Sequence, residues 1–312
     1  MGSAEARPVS PLRAVIKRVA ERTLSAAQVD RLALALRPRG LLVLAWHNVV
    51  PAGERVHGDA SLHLPRDAFA RQLDALARTH HVVPLAQAFE RTGDDRPRAV
   101  ITFDDACLGA VTAGVDELET RGLPATIFVA PGLLGTAPWW DELAGADGLD
   151  PSVREHALDV LGGRPDDVRA WGSSAGLARH DVPAHQHIAT EDELRAAAGR
   201  PGITLAPHGW SHTSLPALSP DELEMELARP LAWLRERFAN GLPWLAYPYG
   251  HTSAAVEDAV ARAGYTGAFR VDGGAFVPSV ARTRPFALPR LNVAAGVSDE
   301  GFRLRIAGVR RG

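Results

Sequence analysis

The 312-residue sequence has very little of several residue types, and each shortage excludes a class of protein. Its single cysteine, Cys107, excludes an intramolecular disulfide and any zinc cluster built on several cysteines, which agrees with a reducing compartment. Its single lysine, Lys17, stands in a terminal segment. Schiff-base chemistry or a lysine-bearing phosphate loop would therefore have to use that one residue.

Long apolar runs and a large excess of one charge are also missing. No run approaches the length that spans a bilayer, and the N-terminus lacks the continuous apolar stretch of a signal peptide. The net charge is −3 and the sequence pI is about 6.5, so nothing indicates nucleic-acid binding or a polybasic membrane anchor. We therefore expect a cytoplasmic protein with a neutral or mildly polar substrate. The oligomeric state is left open.

The sequence does contain a regular alternation of strand and helix patterns. With 46% hydrophobic and 23% charged residues, it is long enough for one large α/β domain or two smaller ones. Buried strands are predicted at 41–46, 99–103, 125–129, 203–206, 244–247, 267–271 and 287–293. Helices are predicted at 67–76 and 111–121, after Thr190, from Ser219 to about 238, and at 254–263. This order indicates βαβ units and a parallel sheet with both faces covered.

Two segments depart from this alternation. Residues 132–189 are rich in Gly, Asp, Pro and His, with weak helical periodicity only around 152–161. We interpret them as an insertion on one face of a barrel. Residues 1–40 are predicted to form an N-terminal helical extension, and residues 41–312 a single α/β domain.

Two adjacent carboxylates follow one of the predicted strands. The stretch ITFDDAC places Asp104 and Asp105 at the C-terminal end of strand 99–103. Barrel and open-sheet enzymes hold their working residues at that end of their strands. The alternative is a polar turn in which an aspartate caps the following helix.

Two histidines follow another predicted strand. His208 and His212, in HGWSH, come after the apolar stretch 203–206 and Pro207. If the segment forms a helical turn, histidines at i and i+4 point the same way and can bind a divalent metal. Together with a strand-end aspartate they supply three N/O ligands and leave positions open for water, which is typical of a hydrolytic metal site.

Three motifs give the sequence a resemblance to the polysaccharide deacetylase, or NodB-homology, family. TFDD at 102–105, HGWSH at 208–212 and YPYG at 247–250 occur in that family's order and approximate spacing. Further similar segments are WHNV, FARQLDALARTHHVVPL, RGLPATIFV and FALPRLNV, so the resemblance extends from about residue 41 to 293. It implies a distorted (β/α) barrel that hydrolyses an N-acetyl group, usually on an amino sugar, in a metal-dependent reaction.

The resemblance also implies roles for four residues. Carried over by position, Asp105, His208 and His212 would bind the metal, and Asp104 would be the general base. One carboxylate would thus hold a cation whose charge lets the other stay ionised and take a proton from water. Zinc is the first choice of metal, with Co²⁺, Ni²⁺ or Fe²⁺ as alternatives, because N/O ligation does not discriminate among them.

The sequence departs from the family pattern in three places. The first motif usually ends in Gly, whereas Ala106 stands here. Ala246 occupies the position of an arginine that pairs with the base in many members, and Arg290, in the predicted strand 287–293, is our candidate to replace it. No histidine follows His251, so the general acid has to be His47, His251 or the metal site itself. We include His47 with Asp104 and Arg290 in the catalytic set.

Aromatic residues supply the candidates for substrate binding. The two tryptophans of the insertion could form a platform for a sugar ring or could pack the insertion onto the barrel. The full set of candidates is Trp139, Trp140, Trp210 and Tyr249. Outside it, we interpret Cys107 as a small buried residue and not a nucleophile. We interpret His180, His185 and His187 as solvated.

Three functional hypotheses follow. The leading one is a metal-dependent deacetylase that acts on an N-acetylated sugar or small glycoside, without nucleic acid and without a transmembrane segment. The second is a hydrolase of a non-sugar C–N bond, such as a formamide or a cyclic amide. The third is a catalytically silent glycan-binding barrel, against which the intact Asp104, Asp105, His208 and His212 argue. The acceptor cannot be named, because specificity lies in the loops.

Overall fold

The structure is a computed structural model that describes residues 21–23, 29–36, 40–90, 96–276 and 278–309. Most of the predicted N-terminal extension therefore lies outside the described residues. Its described part includes helix α1, Val29–Leu36.

The strands are short and mostly buried. They are β1 Leu41–Trp46, β2 Asn48–Val50, β3 His63–Pro65, β4 His81–Val82, β5 Arg98–Phe103, β6 Ala125–Val129, β7 Ile203–Pro207, β8 Trp244–Ala246, β9 Gly267–Phe269 and β10 Leu291–Asn292. The six-stranded main sheet has the order β10–β1–β5–β6–β7, with β4 pairing alongside β5. The pairs β2–β3 and β8–β9 form separate ladders.

Every ladder among the described strands is parallel, as the alternation of strands and helices predicts. Isolated bridges join Leu205 of β7 to Gly241, which lies before β8, and Phe269 of β9 to Leu288, which lies before β10. This arrangement is consistent with the distorted (β/α) barrel predicted from the sequence.

Helices connect the strands, and several of them pack apolar side chains against the main sheet. They continue from α1 as α2 Arg66–Thr79, α3 Val115–Thr120, α4 Trp139–Glu142, α5 Pro151–Glu155, α6 Pro165–Ser174, α7 Glu191–Ala198, α8 Pro220–Arg237, α9 Ala254–Arg262, α10 Val280–Thr283 and α11 Asp299–Ile306. Helices α7 and α8 begin after Thr190 and Ser219, as predicted, and each of these residues forms a capping box. In the described part of the chain, no helix combines the length and the apolar character needed to cross a bilayer.

Strand β1 shows why its sequence, LLVLAW, is apolar without alternation. Leu42, Leu44 and Trp46 pack into the layer between sheet and helices, and Leu41 and Val43 pack into the core on the other face. Both faces of the strand are buried, and strands of parallel sheets with this burial typically have continuous apolar sequences. Each such side chain contributes about 1.5–3 kcal/mol of burial free energy.

Two predicted elements differ from the observed ones. The helix predicted at 111–121 begins as a π-helical turn, Ala110–Gly114, and continues as α3. The strand predicted at 287–293 is regular only in β10, because Pro289 has no N–H to donate and the ladder is interrupted there. Arg290 therefore lies just before a strand.

The segment 132–189 folds as short helices. Side chains of α4, the turn His156–Val160 and α6 form an apolar cluster of their own, which also contacts Leu62 and Tyr249 outside the segment. Its helices thus pack beside the loop that follows β8. The limits of the insertion stay a prediction.

Candidate active site

The candidate residues lie where parallel strands end. His47 follows β1, Asp104 and Asp105 follow β5, and His208 follows β7. Because the carboxyl ends of parallel strands meet at the same edge, residues that are far apart in sequence come together here.

Asp104 and Arg290 form a buried ion pair. The Arg290 guanidinium donates from Nη1 to Asp104 Oδ1 at 2.6 Å and from Nη2 to Asp104 Oδ2 at 2.7 Å. Arg290 is 0% exposed and Asp104 is 2% exposed. The proximity that we expected from the sequence is therefore present, and the catalytic role of Arg290 stays a prediction.

The remaining donors of Arg290 hold it in place. Nη1 also donates to Thr102 Oγ1 at 3.1 Å, and Nε donates to the Arg270 carbonyl at 3.2 Å. The guanidinium carbon lies 5.3 Å from the centre of the Phe128 ring. A planar group with several fixed donors is thus locked against the carboxylate, which a lysine could not reproduce.

This pairing keeps Asp104 ionised. Burial alone would raise the pKa of Asp104, but the charge of Arg290 and that of nearby His208 outweigh it, so the pKa lies below its ordinary value. A buried carboxylate that stays ionised near neutral pH can accept a proton, which is the property that a general base needs.

Asp105, His208 and His212 converge on one point. Each offers a ligand atom within 4.8 Å of those of the other two, and all three are buried. Nε2 of His208 lies 3.5 Å from Asp105 Oδ1, and Nε2 of His212 lies 3.1 Å from it. Nδ1 of His208 is 2.8 Å from the Ala246 carbonyl and donates to it, which leaves Nε2 free to bind a metal.

The polar atoms of this group fit a divalent cation. Asp105 Oδ1 is buried without a hydrogen bond of good geometry, despite its short contacts with the histidines. Burial would raise the pKa of Asp105, but the histidines lower it well below its ordinary value. Burial lowers the pKa of His212 below its ordinary value. Burial also acts to lower the pKa of His208, but the two carboxylates outweigh it and raise that pKa. The group therefore attracts positive charge, and bound metal would take the place of a proton.

The HGWSH segment does not form the helical turn that we expected. Residues 208–212 have no regular secondary structure, and His212 has a φ of 59°. Gly209, at φ 74°, provides a second left-handed residue within this short loop. The two imidazoles converge through this irregular backbone, so the predicted proximity holds for a different geometric reason.

The loop after β5 is also left-handed. Asp105 and Ala106 have φ angles of 66° and 59°, a region that glycine occupies at lower cost than alanine. A glycine, which the motif resemblance led us to expect at position 106, would adopt this conformation at lower cost. The first backbone N–H after the two aspartates belongs to Ala106 and donates to the Asp104 carbonyl at 2.8 Å. It is therefore not free to donate to the oxyanion that forms when water attacks an amide carbonyl.

The candidates for the general acid occupy different places. His47 is half-buried, and its charge contributes to the lowered pKa of both Asp104 and Asp105. His251 is exposed, pairs with Ser214 Oγ at 3.1 Å and lies beside Tyr249. Cys107 is buried as expected, and burial raises the pKa of its thiol well above the ordinary value. Proximity to both carboxylates favours His47.

The aromatic candidates pack around the histidines. Trp139 and Trp140 are only 2% and 5% exposed, and they pack in the apolar cluster that joins the insertion to Leu62 and Tyr249. Trp139 Nε1 donates to the Tyr249 hydroxyl at 3.2 Å, and the rings of Trp140 and Tyr249 lie 5.1 and 4.6 Å from that of His212. Arg229 covers one face of Trp210 at 3.9 Å. Contact of these side chains with a sugar stays a prediction.

A buried polar network, which the sequence did not reveal, ties the insertion to the barrel. Asn48 Nδ2 donates to His63 Nδ1 at 3.0 Å and to His185 Nδ1 at 3.1 Å. His63 Nε2 lies 3.2 Å from Asp141 Oδ2, and Gln186 Nε2 donates to the same oxygen at 3.2 Å. His185, 6% exposed, is therefore buried and not solvated as predicted, because it fills this junction. His180 is exposed.

Glu226 is a second residue that the sequence did not single out. It lies in α8, is 8% exposed, and accepts hydrogen bonds from the loop between the two histidines. Burial raises its pKa, although these hydrogen bonds act to lower it. The local sequence of an amphipathic helix does not show whether a glutamate in it is buried and hydrogen-bonded, as Glu226 is, or solvated.

Comparison with known proteins agrees with the geometry. The sequence profile described as polysaccharide deacetylase matches residues 91–268, more than half of the chain. The chain belongs to the polysaccharide deacetylase family. The matched segment includes Asp104, Asp105, His208 and His212, whereas His47 and Arg290 lie outside it.

Individual relatives of this deacetylase family are distant. A curated Bacillus subtilis (strain 168) protein, named "Putative polysaccharide deacetylase YxkH", is 25% identical over 279 residues, which cover 88% of this chain and 78% of that protein. The Streptococcus pyogenes deacetylase PplD, solved with acetate, has a TM-score of 0.59 at 16% identity, over 86% of this chain and 99% of PplD.

IcaB from Ammonifex degensii is a further structural neighbour. It has a TM-score of 0.58 at 19% identity, over 87% of this chain and 98% of IcaB. At such identities the structural likeness establishes the α/β fold of these deacetylases and nothing finer.

Proposed function

We propose that this protein is a metal-dependent hydrolase that removes the N-acetyl group from an amino sugar in a glycan or small glycoside. The observation that carries the proposal is the buried group Asp105, His208 and His212, whose ligand atoms converge next to the Arg290-paired Asp104. The family supports deacetylation. The metal, the reaction on a sugar and the individual residue roles are our inference.

Asp105, His208 and His212 would hold the cation, with zinc as first choice. When bound, a divalent cation would supply a Lewis acid that polarises the amide carbonyl and makes water more acidic. The lowered pKa of Asp105 and that of His212 favour the ionised carboxylate and the neutral imidazole that bind a cation. The pKa of His208 is raised, so a bound cation would displace a proton there.

The chain's own side chains would move the protons. Asp104, held ionised by Arg290, would take a proton from the attacking water as its oxygen bonds to the carbonyl carbon. His47 would donate a proton to the amide nitrogen as the C–N bond breaks. The products are acetate and a free amine. Tyr249 and Trp140 would enclose the acetyl end of the substrate, since both pack against His212.

The proposal is tested by product analysis joined to metal analysis. The protein, prepared with its metal, is offered N-acetylglucosamine oligomers and, separately, formamides and cyclic amides, and the release of acetate, formate and ammonia is measured. We expect acetate from the oligomers, loss of this release on chelation, and recovery when Zn²⁺ or Co²⁺ is added back.

Other outcomes would replace the proposal. Formate or ammonia release from the other amides, without acetate release, would identify a non-sugar C–N hydrolase. Glycan binding with no hydrolysis at any metal loading would identify a silent barrel. The Asp104→Asn variant is the matched control, because it keeps the metal ligands and removes the proposed base.

A further inference from the structure

Glu226 connects helix α8 to the backbone between the two histidines. Its Oε1 accepts from the Trp210 N–H at 2.8 Å and from the Ser211 N–H at 2.6 Å. The Ser211 hydroxyl donates to Oε1 at 3.0 Å and to Oε2 at 3.2 Å. Glutamate is rarely this buried unless it is hydrogen-bonded, and these contacts account for its place in the interior.

The loop that Glu226 contacts has no hydrogen-bonding pattern of its own. Residues 208–212 belong to neither a helix nor a strand, so their backbone N–H groups need partners from elsewhere. Gly209 and His212 are left-handed, and neither conformation continues into a regular element. In a helical pair of histidines, backbone hydrogen bonds fix the spacing of the ligands. Here the N–H groups of Trp210 and Ser211 donate to a side-chain carboxylate instead.

Two further features bring helix α8 and this loop close together. A Cβ on Gly209 would lie 3.0 Å from Glu226 Oε1 and 3.4 Å from Pro248 Cγ, so the absence of a side chain permits the approach. Arg229, one turn further along α8, stacks on the Trp210 ring at 3.9 Å. Helix α8 therefore contacts the loop at two places: Glu226 binds the loop backbone, and Arg229 packs on the Trp210 side chain.

We propose that Glu226 is a positioning residue that fixes the HGWSH loop so that both imidazoles face Asp105 before metal binds. This inference rests on the proposed metal-dependent function and adds a residue to it. Glu226 contacts the segment between the ligands and not the ligands themselves, so its effect reaches the metal through loop geometry. Groups that orient metal ligands typically contribute about 10- to 100-fold to metal affinity.

The test is the zinc affinity of folded, metal-stripped protein, measured by competition with a fluorescent chelator. Glu226→Ala should weaken zinc binding about 10- to 100-fold. Glu226→Gln, whose amide oxygen can still accept from both N–H groups, should stay within a few-fold of the parent. Glu224→Ala, an exposed residue of the same helix, is the matched control and should bind zinc normally. Thermal unfolding of each metal-free variant shows whether it is folded.

The outcomes separate the two proposals. If the parent binds none of Zn²⁺, Co²⁺, Ni²⁺ and Fe²⁺, the proposed metal-dependent function is wrong and the role of Glu226 falls with it. If the parent binds zinc and folded Glu226→Ala binds it equally well, the positioning role alone is wrong. A purely structural role would lower the unfolding temperature and leave the affinity of the folded protein unchanged. If Glu226→Ala does not fold, Glu226→Asp, which withdraws the carboxylate by one methylene, should show the same loss of affinity.

Discussion

Arg290 donates two parallel hydrogen bonds to Asp104, at 2.6 and 2.7 Å, although 186 positions separate the two residues in the chain. Both residues are buried, and although burial raises the pKa of Asp104, the charge of Arg290 lowers it and favours the ionised carboxylate. The motif resemblance led us to expect an arginine beside the base at position 246, where this chain has Ala246. Arg290 supplies a guanidinium next to Asp104 instead. Its geometry makes Arg290 the first residue to test.

Arg290→Lys keeps a positive charge and loses the planar fork. Loss of one charge-assisted hydrogen bond should lower kcat/KM about 10- to 100-fold, with metal content unchanged. Burial raises the pKa of Asp104 and Arg290 lowers it, so a weaker partner should let that pKa rise. The acidic limb of the pH–rate profile should therefore move to higher pH.

The measurement for Arg290 is the pH dependence of acetate release by metal-loaded protein. Arg121→Lys is the control, since Arg121 pairs with Asp74 and Glu117 outside the site and should keep the parent profile. An acidic limb that does not move in Arg290→Lys would contradict the proposed effect on the base.

Asp104→Asn should bind metal and lose most of its turnover. The amide cannot accept the proton, and general-base catalysis contributes about 10²- to 10⁴-fold. Metal content and rate are measured on the same preparation, with a thermal unfolding curve to show that Arg290 tolerates a neutral partner. A near-normal rate in fully loaded protein would mean that no carboxylate base is required at this position.

His208→Ala and His212→Ala should each lower metal occupancy strongly. Each removes one of three ligand groups, and Asp105 with a single imidazole is a poor site for zinc. Occupancy is read by elemental analysis after dialysis. His156→Ala, a histidine that stacks on Trp171 in the insertion, serves as the control and should keep its metal. Full stoichiometric metal in the double His208/His212 variant would end the assignment.

Cys107→Ala should retain turnover within a few-fold. Burial, with help from Asp105 and Asp141, raises the pKa of the thiol, so it stays protonated and a poor nucleophile near pH 8. In the folded protein the thiol should react slowly with iodoacetamide, and in urea it should react at the rate of a free cysteine. A folded Cys107→Ala variant without activity would revive covalent catalysis.

Ala106→Gly should be nearly neutral for stability, whereas Ala110→Gly should destabilise. At the left-handed Ala106, glycine relieves about 1 kcal/mol of backbone strain, which offsets about 0.8 kcal/mol for the buried methyl group. Ala110 lies in the π-helical turn, where glycine brings no relief and costs about 1 kcal/mol of backbone entropy as well. Urea unfolding of both metal-free variants gives the comparison. Equal losses would show that Ala106 is unstrained.

The sequence alone was sufficient for the parallel α/β architecture and for the core of the site. Apolar runs such as LLVLAW and ATIFV mark fully buried strands, and polar residues directly after them mark the strand ends. Since parallel strands share one edge, Asp104, Asp105 and His208 had to meet there. The spacing of His208 and His212 predicted a pair of ligands, and the motif resemblance added the separate roles of the two carboxylates.

The tertiary structure alone decided how the site is held. The carboxylate of Glu226 under the HGWSH loop and the network around Asn48 and Asp141 join residues that are distant in sequence. Local pattern could not reveal them, because a glutamate in a helix or a histidine in a loop has the same sequence signature whether it faces water or a partner. Which of the two it faces depends on how the elements pack, and for a buried polar group that packing must also supply every hydrogen-bond partner.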